Sequence, residues 1–219
     1  DAIDQEVHSK ITDSKVSVTD ILDGISAAIR YELGPVKINC VVQRGVNEHQ
    51  IPKLVRKFRG TGVIVRFIEF MDVGSTNGWT QGQVVPTSEI IDFLSSEFDL
   101  IPLARKSASD VASRWAHSDD SGEIGFISSV SQPFCGDCVR ARLSSDGKFF
   151  TCLFTTTGHD MSALIKSGGK TEVLTQSIEE VWSARKDRYS EERTSVAISL
   201  PRVEMLSLIH ISEPTRPMN

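Results

Sequence analysis

Two alternating apolar segments joined through one amphipathic helix restrict this chain more than any other feature of its sequence. Val36 to Gln43 alternates as a strand does, with Val36, Ile38, Cys40 and Val42 on one face and Lys37, Asn39, Val41 and Gln43 on the other. Gly45-Val46-Asn47 makes a turn, and Glu48 to Arg59 carries Leu54, Val55 and Phe58 at helical spacing, with Pro52 tolerated in the first turn. Gly60 and Gly62 release the chain into a second strand, Val63 to Phe70. Strand, helix and strand with links this short predict a βαβ unit, its strands parallel and its crossover right-handed. The chain is therefore read as α/β.

The second face of the first strand is apolar only at Val41, so it is expected to meet a lumen or a ligand. Arg66 interrupts an otherwise apolar strand, and a cation there needs a partner because burying it unpaired is costly. Lys37 and Arg66 are accordingly candidate anion contacts; an internal salt bridge of Arg66 with Glu69 or Asp72 is the alternative. Asp4 to Ile11 and the segment after Ser17, a predicted N-cap, read as helices, and Gly34-Pro35 stops the second. Met71 to Gln83, rich in Gly, Ser, Thr and Asn, reads as a boundary between domains at 1–80 and 81–205. Beyond it come a helix opened by Pro86-Thr87, short strands from Leu100 to Ser131, and helices at His159 to Lys166 and Thr171 to Arg185.

The chemistry concentrates in Phe134-Cys135-Gly136-Asp137-Cys138-Val139-Arg140-Ala141-Arg142-Leu143, with Cys152 a short way downstream. Asp146-Gly147 predicts a two-residue hairpin that folds Cys152 back toward Cys135 and Cys138. An ideal register would set Cys152 opposite Ala141, on the face away from the arginines, so a bulge is needed to bring it round. Thiolates are soft ligands for iron–sulfur clusters or zinc. Structural zinc wants four ligands, and His159 is the nearby fourth candidate. Arg140 and Arg142 alternate, so both point one way and could grip one phosphate chain; a solvated strand face is the alternative. Cys40 reads as a core residue, and His8, His49 and His117 are expected at the surface.

A net charge of −5 argues against a nucleic-acid surface, and no apolar run reaches the ~18–20 residues of a membrane span. With no leader pattern ahead of the first helix, the cytoplasm is the expected location and disulfides are not expected. The start at Asp1, without an initiator methionine, predicts a fragment.

Four stretches resemble the GTP 3′,8-cyclase family, the radical S-adenosylmethionine lyases of molybdenum cofactor biosynthesis. They are Pro35 to Asn39 with Arg44 to Asn47; Val65 to Met71; Phe126 to Val130 leading into Phe134 to Leu143; and Asp146-Gly147 to Phe154. The resemblance, which runs to about Met205, implies a partial (incomplete) TIM-type radical S-adenosylmethionine barrel in 1–80. An α+β C-terminal domain in 81–205 would then hold a second [4Fe-4S] cluster on Cys135, Cys138 and Cys152. It implies that Lys37, Arg66, Arg140, Ala141 and Arg142 contact GTP, that the open iron faces the guanine, and that Met71 packs on S-adenosylmethionine. No catalytic residue is carried over. Implied partners are an electron donor and the downstream cyclic pyranopterin monophosphate synthase, with a homodimer as one assembly and neither nucleic acid nor membrane.

Two departures stand out. Family chemistry, the conversion of GTP to 3′,8-cyclo-7,8-dihydro-GTP, starts at a first [4Fe-4S] cluster on a C-x3-C-x2-C loop, and no such triplet occurs here. The family also ends on a paired glycine, whereas 206–219 lacks one and reads at Leu208 to Pro217 as a translated sequencing adapter, or else as a disordered extension. Missing early strands would expose an apolar edge and favour association. These residues alone are expected to form no cyclic product from GTP when supplied with reductant and S-adenosylmethionine; product in that assay would refute the fragment reading.

Overall fold

The computed structural model describes residues 1–73, 78–107, 109–168 and 170–196. The predicted tail at 206–219 and the last part of the resemblance lie outside them. The chain divides into two compact units, the first Asp1–Met71 with Trp79–Pro133, the second holding, of the described residues, Asp72, Val73, Gly78 and those from Phe134 onward.

The first unit opens with α1 (Gln5–Thr12), whose N-cap Asp4 accepts from the Glu6 and Val7 N–H groups, and α2 (Val18–Arg30), capped by Ser17. The predicted βαβ unit follows as β1 (Lys37–Val42), α3 (Ile51–Phe58) and β2 (Ile64–Glu69). A 3-10 turn at Glu48–Gln50 leads into α3, so the α-helix is shorter than the predicted Glu48 to Arg59. Then come α4 (Thr87–Ser95), β3 (Leu100–Leu103), β4 (Ser113–His117) and β5 (Glu123–Ile127). The five strands form one sheet in the order β1-β2-β5-β4-β3. β1, β2 and β5 are parallel; β4 and β3 continue the sheet antiparallel. In this mixed α/β sheet β5 pairs with β2, and Phe126 stacks on Phe67 with ring centroids 6.0 Å apart, so the residues up to Pro133 pack with the first unit.

One sheet face buries Cys40, Val42, Val65, Phe67, Ile124 and Phe126 against Leu54, Val55 and Phe58 of α3 and Ile90 and Leu94 of α4. Glu69 lies on that face as well and is fully buried. Its Oε1 accepts from the Thr87 N–H at 2.8 Å, its Oε2 from the N–H groups of Val130 and Ser131 at 2.8 and 2.7 Å, and the Ser131 hydroxyl donates to it too. The Thr87 N–H belongs to the first turn of α4, where the helix dipole favours an anion. Two histidines expected at the surface are in the core: His8 and His117 are buried, each with an Nδ1 that has no hydrogen-bond partner among the described residues. His117 packs edge-on against Phe98 at 5.6 Å, so its ring serves as an aromatic core residue.

The second unit contains a three-stranded antiparallel sheet, β6 (Arg142–Leu143), β7 (Lys148–Phe150) and β8 (His159–Asp160). Helices α5 (Ser162–Lys166), α6 (Thr171–Ala184) and α7 (Tyr189–Val196) follow. Its buried apolar residues among those described are Phe149, Phe150 and Met161. Polar ties accompany them. Asp72 accepts from Arg193 Nε at 2.9 Å and from the Tyr189 hydroxyl at 2.6 Å, and Tyr189 stacks on Phe154 at 4.4 Å.

Replacing Glu69 by Gln keeps the shape but points an amide N–H2 at donors; loss of charge-assisted bonds should cost about 2 kcal/mol or more, read from the urea midpoint. A second expectation concerns pH. Burial lowers the His117 pKa below 6.5, with the Arg59 charge adding to it and Asp119 opposing, so the unfolded chain takes up the proton first. Stability is then full above about pH 6.5 and falls as pH drops below it, by up to about 1.4 kcal/mol per pH unit. In His117→Phe the urea midpoint should fall less between pH 7.5 and 5.5 than in the parent chain.

Candidate metal and anion site

The predicted hairpin forms, but with a three-residue loop. Arg142 pairs with Phe150 and Leu143 with Phe149, so the ladder closes around 145–147 instead of Asp146-Gly147 alone. The Gly147 N–H donates to the Ser144 carbonyl at 3.0 Å, the Ser144 N–H to the Lys148 carbonyl at 2.9 Å, and Gly147 has φ 88°. This is a type I turn ended by a left-handed residue, the usual three-residue solution. Glycine is required twice over, because a Cβ there would also lie 3.0 Å from the Ser162 backbone. The extra loop residue shifts the register by one. The pairing ends at Arg142 and Phe150, and Thr151-Cys152 form a bend beyond it, so the ladder does not itself fix the side on which Cys152 lies.

Cys152 and Cys138 both lie within electrostatic reach of Arg142. Burial pushes the pKa of the Arg142 guanidinium down and the Arg140 charge adds to this, whereas Cys152 and Cys138 oppose it. Burial also pushes the Cys138 thiol up, but bonds from the Arg140 backbone and side chain, with the charges of Arg140 and Arg185, outweigh it and leave the pKa below the ordinary thiol value. Arg140 Nη2 donates to Cys138 Sγ at 3.4 Å while its guanidinium lies 4.9 Å over the Phe134 ring. Cys152 is raised, first by burial and then by Asp187, Cys135 and Cys138; the Phe154 N–H, 3.5 Å from its sulfur, works the other way.

All four cysteines are free thiols. Cys40 is a buried core residue whose thiol is pushed up to about 11 by burial, as its place in an apolar strand predicts. Cys135, Cys138 and Cys152 are half-buried, in one unit and within electrostatic reach of each other. They are not drawn into a ready-made ligand set: among the described residues no three His, Cys, Asp or Glu side chains converge as a metal site. By donor chemistry they suit a soft metal or an iron–sulfur cluster, being unbridged, adjacent to cations and supplied with N–H···S contacts. His159 lies exposed in β8.

Arg140 and Ala141 are exposed and Arg142 is half-buried. In the first unit, Lys37 is exposed at the start of the edge strand β1 and Arg66 is half-buried in the middle of β2, on the same sheet face. Met71 follows β2, half-buried. The salt bridge of Arg66 with Glu69 or Asp72 does not form, since Glu69 is held by backbone N–H groups and Asp72 by Arg193. Arg66 Nε instead donates to Asn39 Oδ1 at 2.8 Å.

Sequence reasoning missed three residues that brace the cysteine loop. Arg185 donates to the Cys138 carbonyl and stacks on Trp182 at 4.0 Å, and Glu191 accepts from the Gly136 N–H at 3.3 Å. The three-residue spacing of Trp182 and Arg185 at the end of α6 was the available signal.

The family model described as Molybdenum Cofactor Synthesis C matches residues 63–191. A protein named GTP 3′,8-cyclase from Xanthomonas axonopodis pv. citri is 45% identical over 205 residues, covering 94% of this chain and 61% of that relative. One of the same name from Staphylococcus haemolyticus is 41% identical over 212 residues, 96% of this chain and 62% of the relative. A third, from Acidothermus cellulolyticus, is 41% identical over 197 residues, 88% of this chain and 54% of the relative. The chain thus spans about three fifths of the length of the first of these curated relatives. With more than half of its residues inside the matched range, it belongs to the Molybdenum Cofactor Synthesis C family.

Proposed function

We propose that this chain supplies the substrate-binding part of a GTP 3′,8-cyclase, the radical S-adenosylmethionine lyase that converts GTP to 3′,8-cyclo-7,8-dihydro-GTP in molybdenum cofactor biosynthesis. The single observation that carries the reading is the coupling of three unbridged thiols with Arg140 and Arg142 in one unit. On this reading Cys135, Cys138 and Cys152 would hold the second [4Fe-4S] cluster. When bound, that cluster supplies an iron with an open coordination place for the guanine base.

The chain's own residues then bind and orient. Arg140 and Arg142 offer planar forks to phosphate oxygens, while Arg140 also steadies the Cys138 sulfur. Ala141, with a small side chain between them, lets a ligand approach the backbone. Lys37 and Arg66 are the first unit's contacts to GTP, both on the open face of its sheet. Met71 would pack on S-adenosylmethionine.

The remaining expectations belong to the same proposal. The parallel strands β1 and β2 would be the last part of an incomplete barrel in 1–80, with 81–205 as the cluster domain. The first [4Fe-4S] cluster would sit in the full-length parent, which would work in the cytoplasm, take electrons from a donor, pass its product to the cyclic pyranopterin monophosphate synthase and assemble as a homodimer. No described helix is long and apolar enough to cross a membrane.

Anaerobic reconstitution of the 219-residue chain with iron and sulfide tests the reading. A brown protein with broad visible absorption and about four iron and four sulfide per chain is expected, lost in Cys152→Ala. Colourless protein that retains one tightly held zinc, with His159 as fourth ligand, would overturn it. In the loaded chain, Arg142→Ala should weaken GTP binding roughly tenfold or more, the scale of a charge-assisted bond.

A further inference from the structure

Across the open face of the first unit's sheet, Asn39, Arg66, Gly125 and Arg114 stand in one row, on β1, β2, β5 and β4. The two arginines of that row are treated differently. Arg114 forms a two-pronged ion pair with Glu123, with Nε to Oε2 at 3.1 Å and Nη2 to Oε1 at 2.7 Å, and its charge is met within the protein. Arg66 has no ion pair among the described residues and meets only the neutral amide oxygen of Asn39.

Gly125 shapes the other side of the same arginine. A Cβ on Gly125 would stand 2.9 Å from Arg66 Cγ and 3.5 Å from its Cδ. Two heavy carbons do not approach so closely, so the bare backbone of β5 is what lets the arginine stem lie across the sheet. Asn39 fixes the far end through Nε and leaves the two terminal nitrogens of the guanidinium. An arginine side chain carries about 2 kcal/mol of rotamer entropy. Holding it at stem and Nε before the ligand arrives removes part of that cost from binding. A neutral acceptor achieves this without cancelling the charge, which an aspartate at 39 would do.

We propose that Asn39 and Gly125 are positioning residues for Arg66, presenting its terminal guanidinium nitrogens to the triphosphate of a nucleotide. The ligand half of this inference rests on the proposed function above; the positioning half does not. Neither residue touches the ligand, so each acts only through Arg66.

The test uses the 219-residue chain in parent, Asn39→Ala, Asn39→Asp, Gly125→Ala, Arg66→Ala and Asn39→Ala/Arg66→Ala forms. Hydrogen exchange of the Arg66 Nε–H, followed by nitrogen-edited NMR without ligand, reads the positioning directly. It should be slow in the parent, fast in Asn39→Ala and altered in Gly125→Ala. Binding of GTP and of inorganic triphosphate, measured by calorimetry, reads the consequence. Asn39→Ala should weaken both roughly threefold to tenfold, the worth of a neutral hydrogen bond, and Asn39→Asp more. In the Arg66→Ala background Asn39→Ala should change nothing. Unchanged Nε–H exchange in Asn39→Ala overturns the positioning, and additive losses in the double variant do the same. A parent chain that binds neither probe overturns the ligand half and the functional reading together, while exchange still decides the positioning.

Discussion

One buried carboxylate holds the first unit together. Glu69 ends β2 on the sheet face that is otherwise Val65 and Phe67, shielded from bulk solvent, and its carboxylate is met by donors from the protein. Those donors come from the first turn of α4 and from the segment after β5, two places far apart in sequence. The Ser129 hydroxyl adds a bond to the Glu69 carbonyl, and the Ser128 hydroxyl one to Thr87. The strand end, the helix start and the segment leading toward the cysteines are thereby pinned to a common point, and the apolar packing of Phe67 on Phe126 is set in its register. Two of the stretches that carry the family resemblance, Val65 to Met71 and Phe126 to Val130, meet there.

The second unit follows a different logic. Beside Phe149, Phe150 and Met161, its buried apolar residues among those described, it is tied by directed polar contacts. Asp187 accepts from the hydroxyls of both Thr151 and Thr155, Asp72 from Arg193 and Tyr189, and the Cys138 carbonyl from Arg185. Arg140 and Arg185 bring the Cys138 pKa below its ordinary value against the effect of burial, while burial, with the Arg140 charge adding to it, lowers Arg142. Burial holds Cys152 up, so the surroundings favour a thiolate at Cys138 but not at Cys152.

Most elements were legible because period and punctuation agree. The βαβ unit followed from the alternation of 36–43 and the glycines at 60 and 62, and Asp4 and Ser17 cap as their side chains allow. What was not legible depended on contacts made elsewhere. His117 is buried because Phe98 offers it an aromatic edge, and nothing local to His117 announces that. That β5 joins the first unit depends on its pairing with β2, a contact 50 residues and more away in sequence that no local pattern announces. Arg66 was recognised as a cation in need of a partner, but the partner proved to be an amide on the neighbouring strand rather than either nearby acid. At the thiols, residue type was readable and convergence was not.

The loop around Gly147 has a consequence for mutational tolerance. A side chain at 147 would have to adopt a positive φ and at the same time press on the Ser162 backbone at the head of α5, so the tip of the hairpin is fixed from two directions at once. The closure between Ser144 and Lys148, and with it the pairing of Arg142 and Phe150, therefore depends on one glycine.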